Sequence, residues 1–342
     1  MKEKVTQSDI ARKLNLSVTT VSRALQNDPV INPETRAEVL NMAARLNYQP
    51  RQSRQTRSQS DSTERTHRFV CVVVRLPLQE DAWAPDEVAS GYLAGMSEVC
   101  ASLNVSLVVH HVNEENAYDL LDEERQPPIF KDPNLAGIIL IHFFPHDLVQ
   151  SLTQQFPVVA IVHDVPTAKV DLIDMDNHQA VDDLVRKLIK AGHKKIGFIG
   201  YRPTLAWSRS RLGGYLQALF TMGVEIDDSL ILNEVDENFV IDKLDEGVTA
   251  WVCSIDLMAY DLFRKLEDKG LKIPEQLSIT GFNKVSPLLN CPQITTIQPP
   301  FKQMGVAALH RLMLRVEEPL NQPLKILHRC NLIVGASTKP IE

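Results

Sequence analysis

The chain has 342 residues, 44% of them hydrophobic, and a formal net charge of −7 at pH 7. That length is enough for two or three domains with proper cores. No apolar run approaches the roughly 20 residues that span a bilayer. The N-terminus MKEKVTQSDI has no apolar signal region, and the five cysteines are scattered without a C-x-x-C pair. These features speak against a membrane or secreted protein and set the expectation of a reducing, cytoplasmic setting with the cysteines as small core residues.

The charge is uneven. Residues 1–68 hold twelve Lys or Arg against seven Asp or Glu, whereas the rest hold 24 against 36. A basic head on an acidic body is what a chain needs when only its head meets phosphate.

Thr6 to Leu25 reads as two short helices with a tight turn. Thr6 and Asp9 form a capping-box pattern; Ile10, Ala11 and Leu14 share one face. Ser17 suits an N-cap for the second helix, whose buried side is Val21, Ala24 and Leu25. Val18, Thr19, Ser22 and Arg23 are left on the exposed side. In a helix-turn-helix the second helix enters the major groove, where short polar groups and an arginine read base edges. Asn32-Pro33-Glu34 then opens a third helix running to Asn47 and ended by Pro50, giving a headpiece of residues 1–50.

Residues 51–67, RQSRQTRSQSDSTERTH, hold no Leu, Ile, Val or aromatic side chain and read as a linker. Arg51, Arg54 and Arg57 recur every third residue, which fits a DNA-contacting hinge.

From Phe69 onward, apolar runs alternate with helical patterns. FVCVVV, SLVVHHV, GIILIHF, PVVAIVHD, KIGFIGY, TAWVCSI and LSITGF read as buried strands. Helices are expected at 87–103, 147–155, 179–191, 213–222 and 258–269. Such alternation implies parallel sheets covered on both faces. It is too long for one comfortable sheet, so residues 68–342 are expected to form two α/β lobes, with a first boundary near 165–170 and later crossovers near 283–300. Ligands of such folds bind beyond the carboxyl ends of the strands. Trp83 and Trp207 offer stacking faces for a sugar, or are core aromatics. His142, at a strand end, is a further ligand candidate.

The order of VTQSDIARKLNLSVTTVSRAL, INPETRAEVLNMAARLNYQP, DMDN from Asp174, AGHKKIGFIG, SRLGGYLQAL, IDLMAYD, GLKIPEQLSITGF and PQITTIQPPFKQMG resembles the lactose- and galactose-repressor family of bacterial transcription regulators over almost the full length. The resemblance implies a homodimer whose headpieces read palindromic double-stranded DNA. It also implies two periplasmic-binding-protein-like lobes that close on a small effector, usually a sugar, a sugar phosphate or a nucleoside base, here most readily a carbohydrate. Val18 and Thr19 match the family's chief base-reading positions, and Arg23 a further base or phosphate contact. Thr6, Ser17, Thr20, Ser22 and Asn27 match phosphate contacts, and Tyr48 the aromatic that packs the hinge. In the cleft, Asp164, Arg211, Asp256 and Phe301 match positions that often line the ligand.

The chain also departs from the family pattern. Arg54 and Arg57 stand at the hinge's alanine and leucine positions, where an apolar wedge normally enters the minor groove; arginines suit a narrow A·T-rich groove or its phosphates instead. Ile255 replaces an asparagine, Asn283 an aspartate, and Gly335 an arginine. Loss of two hydroxyl-binding groups weakens the case for a neutral hexose and keeps open a regulator with a non-sensing cleft.

Enzyme signatures are missing: no G-x-G-x-x-G, Walker A, G-x-S-x-G or H-E-x-x-H occurs. His142 and His146 have metal-like spacing, but Pro145 between them opposes the helix that would align them. No metal or cofactor is expected. A free-standing sugar-binding protein would leave the headpiece unexplained.

Overall fold

The structure is a computed structural model; it describes residues 6–25, 31–32, 35–36, 38–39, 42–43, 46, 66–76, 86–166 and 168–339. The chain divides into two compact units, Met1–Glu64 and Arg65–Glu342.

In the first unit, α1 (Gln7–Leu14) and α2 (Val18–Leu25) are joined by a turn in which Asn15 adopts a left-handed conformation, φ 53°. Asparagine tolerates that conformation better than other side chains. Ile10, Ala11, Val21, Ala24, Val39 and Ala43 form the small core. Residues 35–36, 38–39 and 42–43 are helical, within the span expected for the third helix. The linker expected at 51–67 falls outside the described residues except at its last two positions.

The second unit contains two six-stranded sheets. The first is built from β1 (Arg68–Arg75), β2 (Val105–Val112), β3 (Leu135–Ile141), β4 (Val158–Ile161), β5 (Asp171–Met175) and β11 (Lys325–His328), in the order β2-β1-β3-β4-β5-β11, all parallel. The second is built from β6 (Ile196–Ile199), β7 (Ile231–Leu232), β8 (Ala250–Cys253), β9 (Ser278–Phe282), β10 (Thr295–Gln298) and β12 (Asn331–Ile333), in the order β7-β6-β8-β9-β10-β12. Among the described residues only the β10–β12 pairing is antiparallel. The central strands, such as VCVVV in β1 and IILI in β3, are buried throughout, as a sheet covered on both faces requires.

The expected lobe boundary at 165–170 is corrected. β5 follows it and still belongs to the first sheet, so the chain leaves the first lobe only at residue 176. DLIDM lacks an uninterrupted apolar run like those of β1 and β3, because Asp171 and Asp174 break it. Asp171 is nonetheless fully buried, since its carboxylate meets Arg311 at 2.9 Å and Arg315 at 2.7 Å and accepts the Leu324 N–H at 2.7 Å. The chain crosses back at 299–300, within the expected range, and a third time at 329–330.

Two helix pairs carry the walls of the inter-lobe cleft. α3 (Asp86–Leu103) packs on α9 (Phe301–Glu317), and α5 (Asn177–Lys190) packs on α6 (Ala206–Thr221). α6 begins seven residues before the expected start. The approach of α3 and α9 demands glycine: a Cβ on Gly305 would lie 2.0 Å from the Tyr92 carbonyl oxygen. This contact brings the Tyr92 and Phe301 rings edge to face, 5.3 Å apart. α4 (His146–Gln155), α7 (Glu237–Asp245) and α8 (Asp256–Asp268) complete the helical layers.

Candidate nucleic-acid interface and effector cleft

On the headpiece, Val18, Thr19 and Arg23 of α2 are exposed while Val21 and Ala24 are buried, so three of the four positions expected on the exposed side are exposed. Ser17 caps the helix, its hydroxyl accepting the Thr20 N–H at 3.0 Å and sharing a 2.8 Å bond with the Thr20 hydroxyl. Thr6 donates both its N–H and its hydroxyl to the Asp9 carboxylate, at 2.9 and 2.7 Å, which holds that carboxyl below its ordinary range. Three of the expected phosphate contacts, Thr6, Ser17 and Thr20, therefore have hydroxyls engaged within the headpiece. A hydroxyl that donates inward still keeps lone pairs, but meeting a phosphate oxygen needs the proton back. Ser22 is half-buried. Asn27, Tyr48, Arg51, Arg54 and Arg57 lie outside the described residues, as does Trp83.

Between the two sheets of the second unit lies a cleft of about 390 Å³. His142, Trp207, Arg211, Asn283 and Phe301 all line it. Asp164 and Asp256 do not. Asp164 pairs with Lys325 at 2.9 Å on the first lobe. Asp256 is wholly buried in the second lobe, accepting the Val285 N–H at 2.8 Å and the Thr296 hydroxyl. Its carboxylate holds the loop after β9 rather than facing the cleft, and burial pushes its pKa up to about 6.

Arg211 is the structural centre of the cleft. It is 4% exposed, and its Cζ lies 3.5 Å from the centroid of the Phe282 ring and 4.7 Å from that of Trp207. Its Nε donates to Asn177 Oδ1 at 2.8 Å and its Nη1 to the Ser254 carbonyl, while Nη2 reaches the Met175 sulfur at 3.9 Å. Among the described residues no carboxylate lies within 4.0 Å of it. Burial pulls its pKa down to about 10.

Several lining residues went unread in the sequence: Arg75, Glu114, His163, Tyr92 and Asn177. Arg75, His163 and Met175 sit at or just past the ends of β1, β4 and β5, so the rule that ligands bind beyond the carboxyl ends of strands was the available signal. His142, Val162 and Asn283 line the cleft with φ of 75°, 59° and 110°. A β-branched residue in the left-handed region is costly, and such strain clusters at ligand sites. Gly335, at the family's arginine position, lies so close to residues 293–294 that a Cβ would come 2.2 Å from the Gln293 oxygen. A side chain there has no room.

The comparisons agree with this geometry. Residues 6–51 match the family described as bacterial regulatory proteins, lacI family, and residues 185–338 the periplasmic binding protein-like domain. The HTH-type transcriptional regulator DegA of Bacillus subtilis is 26% identical, covering 99% of both chains. The HTH-type transcriptional repressor CytR of Escherichia coli is 27% identical, covering 98% of this chain and 97% of that protein. Among solved structures, the transcriptional regulator CelR–cellobiose complex superposes with a TM-score of 0.65 at 21% identity, covering 98% of this chain and all of the other. A lac repressor dimer bound to operator and the anti-inducer ONPF gives 0.62 at 19%, covering 99% and 100%. With a DNA-binding domain of the lacI family of bacterial regulatory proteins at residues 6–51 and a periplasmic binding protein-like domain over residues 185–338, the chain is a DNA-binding transcriptional regulator.

Proposed function

We propose that this regulator is a repressor that binds a palindromic operator as a homodimer, and that a small effector, a sugar or sugar derivative held in the cleft, sets its affinity for DNA. Residues 1–50 read the operator, with Val18, Thr19 and Arg23 facing base edges. Residues 51–67 act as the hinge, with Arg51, Arg54 and Arg57 on the minor groove or its phosphates, and residues 68–342 bind effector and partner chain. Among structural neighbours, one is a complex with cellobiose and another a dimer bound to operator, which supports both halves of the reading.

The observation that carries the proposal is the cleft between two lobes joined by three crossing segments. A ligand bound between such lobes favours the closed arrangement, and it changes operator affinity to the extent that it binds one arrangement better than the other. A regulator with a silent cleft is the competing reading, and Ile255 and the buried Asp256 are what favour it. Strained lining residues and the buried, unpartnered Tyr92 hydroxyl and His163 Nε2 weigh against it. Selecting DNA from a random pool, with and without sugars and sugar derivatives, tests both halves. A recovered palindrome whose affinity responds to one ligand supports the proposal, and a palindrome bound equally under all conditions favours the silent cleft.

A further inference from the structure

Resting on that effector reading, the polar groups of the cleft narrow the ligand's chemistry. Buried charges in proteins are normally paired. Arg211 is an exception, because its described partners are an amide oxygen, a backbone carbonyl, a thioether and two aromatic faces. It lies four residues beyond Trp207 on α6, the same helix face one turn along. The N-terminus of that sixteen-residue helix opens on the cleft: Leu205, Ala206 and Trp207 all line it, and no side chain caps it. Free backbone N–H groups and the positive end of the helix dipole favour an anion there. On the opposite wall Arg75 donates to the Phe143 carbonyl at 2.9 Å, with Glu114 only 3.9 Å from it.

Two acceptor or donor atoms in the same cleft are buried and without a partner among the described residues. His163 is 7% exposed; its ring bonds the Phe144 backbone, and its Nε2 has no partner. Burial holds its pKa down to about 4, so at neutral pH the free nitrogen is a lone-pair acceptor for a hydroxyl. The Tyr92 hydroxyl, fully buried, is the second. Trp207, Phe301, Phe143, Ile255 and Leu205 supply apolar faces.

We infer that the effector is a monocarboxylate on a hydroxylated ring, a sugar acid, whose carboxylate meets Arg211 and the N-terminus of α6 while a ring hydroxyl donates to His163 Nε2. A doubly charged phosphate fits less well. Arg211 has only Nη2 without an oxygen acceptor, and Asp174, Asp256 and Glu114 around the cleft repel a second negative charge.

The test is thermal unfolding of the full chain with millimolar D-glucuronate, D-galacturonate, D-glucose, D-galactose, glucose 6-phosphate and uridine in separate arms. A monocarboxylate site predicts a rise in melting temperature of at least ~2 °C with a uronate and none with its neutral parent or with the phosphate. A rise with glucose, galactose or uridine that the uronates do not exceed overturns the carboxylate and leaves the effector reading standing. A rise confined to glucose 6-phosphate overturns it in favour of a phosphate. Silence in every arm from protein that still binds operator overturns both.

Discussion

Asn177 accepts the Nε–H of Arg211 at 2.8 Å, although 34 residues separate them and they sit on different helices. Asn177 is the first residue of α5, directly after the chain leaves the first sheet, and α5 packs on α6 along its length. The bond therefore ties the orientation of the guanidinium to the segment where the two lobes join. Asn177→Ala is expected to weaken effector binding about 10-fold or more, since a bond to a charged group is worth roughly 1.5–3 kcal/mol. Arg211→Lys should do worse, because an ammonium cannot both stack between Phe282 and Trp207 and hold two acceptors in a fork. Calorimetric titration of each variant measures the loss, and unchanged affinity in Arg211→Lys would remove Arg211 from the site.

The Asp171 carboxylate, buried beside Arg311 and Arg315, fastens α9 and the chain before β11 to the first sheet. Removing one member of a buried ionic group strands the others. Asp171→Ala should cost about 3–5 kcal/mol, read as a fall in denaturant midpoint. A shift below about 1 kcal/mol would mean that water reaches these arginines.

The same aspartate explains what was legible in the sequence. Uninterrupted apolar runs such as FVCVVV and GIILIHF identify strands by themselves, and the alternation with helices identifies the two-lobed core. DLIDM does not, because what buries Asp171 lies about 140 residues away on α9. The family resemblance located Asp256 but not its direction, which Val285, in the loop after β9, and Thr296, on β10, decide. Arg211 and Phe301 were readable through the family resemblance and Trp207 as a stacking face, whereas Arg75 and Tyr92 carry no such signal. The unpaired atoms of Tyr92 and His163 were not, since absence of a partner is visible only in three dimensions.

Burial sets opposing pH dependences. It pushes Asp174 and Asp256 up to about 6 and holds His142 and His163 down to about 4. Native aspartates keep protons that the unfolded chain has released above pH 4, so their contribution to stability is lost as pH rises through 6. Native histidines refuse protons that the unfolded chain takes up below about 6.5, so theirs is lost as pH falls. Asp256→Asn removes one acid-favouring contribution. Between pH 7 and pH 5 the variant should lose about 1 kcal/mol more stability than the parent chain, measured by denaturant unfolding at the two pH values. Parallel pH profiles would contradict the raised pKa.

In the headpiece, readout and grip should separate. Exchanging Val18 and Thr19 for other side chains should change the preferred bases at fixed positions of each half-site. Arg57→Ala should weaken binding evenly across sequences and reduce the salt slope by about one if Arg57 meets a phosphate. Ser17→Ala should destabilise the headpiece by about 1 kcal/mol through loss of the α2 cap. Fluorescence titrations against a panel of operator variants at several salt concentrations check the first two.

Effector control of DNA binding is tested most directly by measuring operator affinity of the full chain against increasing ligand, for the parent and Arg211→Lys proteins side by side. Linkage through the cleft predicts a change of at least about 5-fold in the parent, corresponding to roughly 1 kcal/mol of coupling, and a curve displaced to higher ligand concentration in the variant. An operator affinity that stays constant while the same ligand measurably stabilises the protein would contradict it.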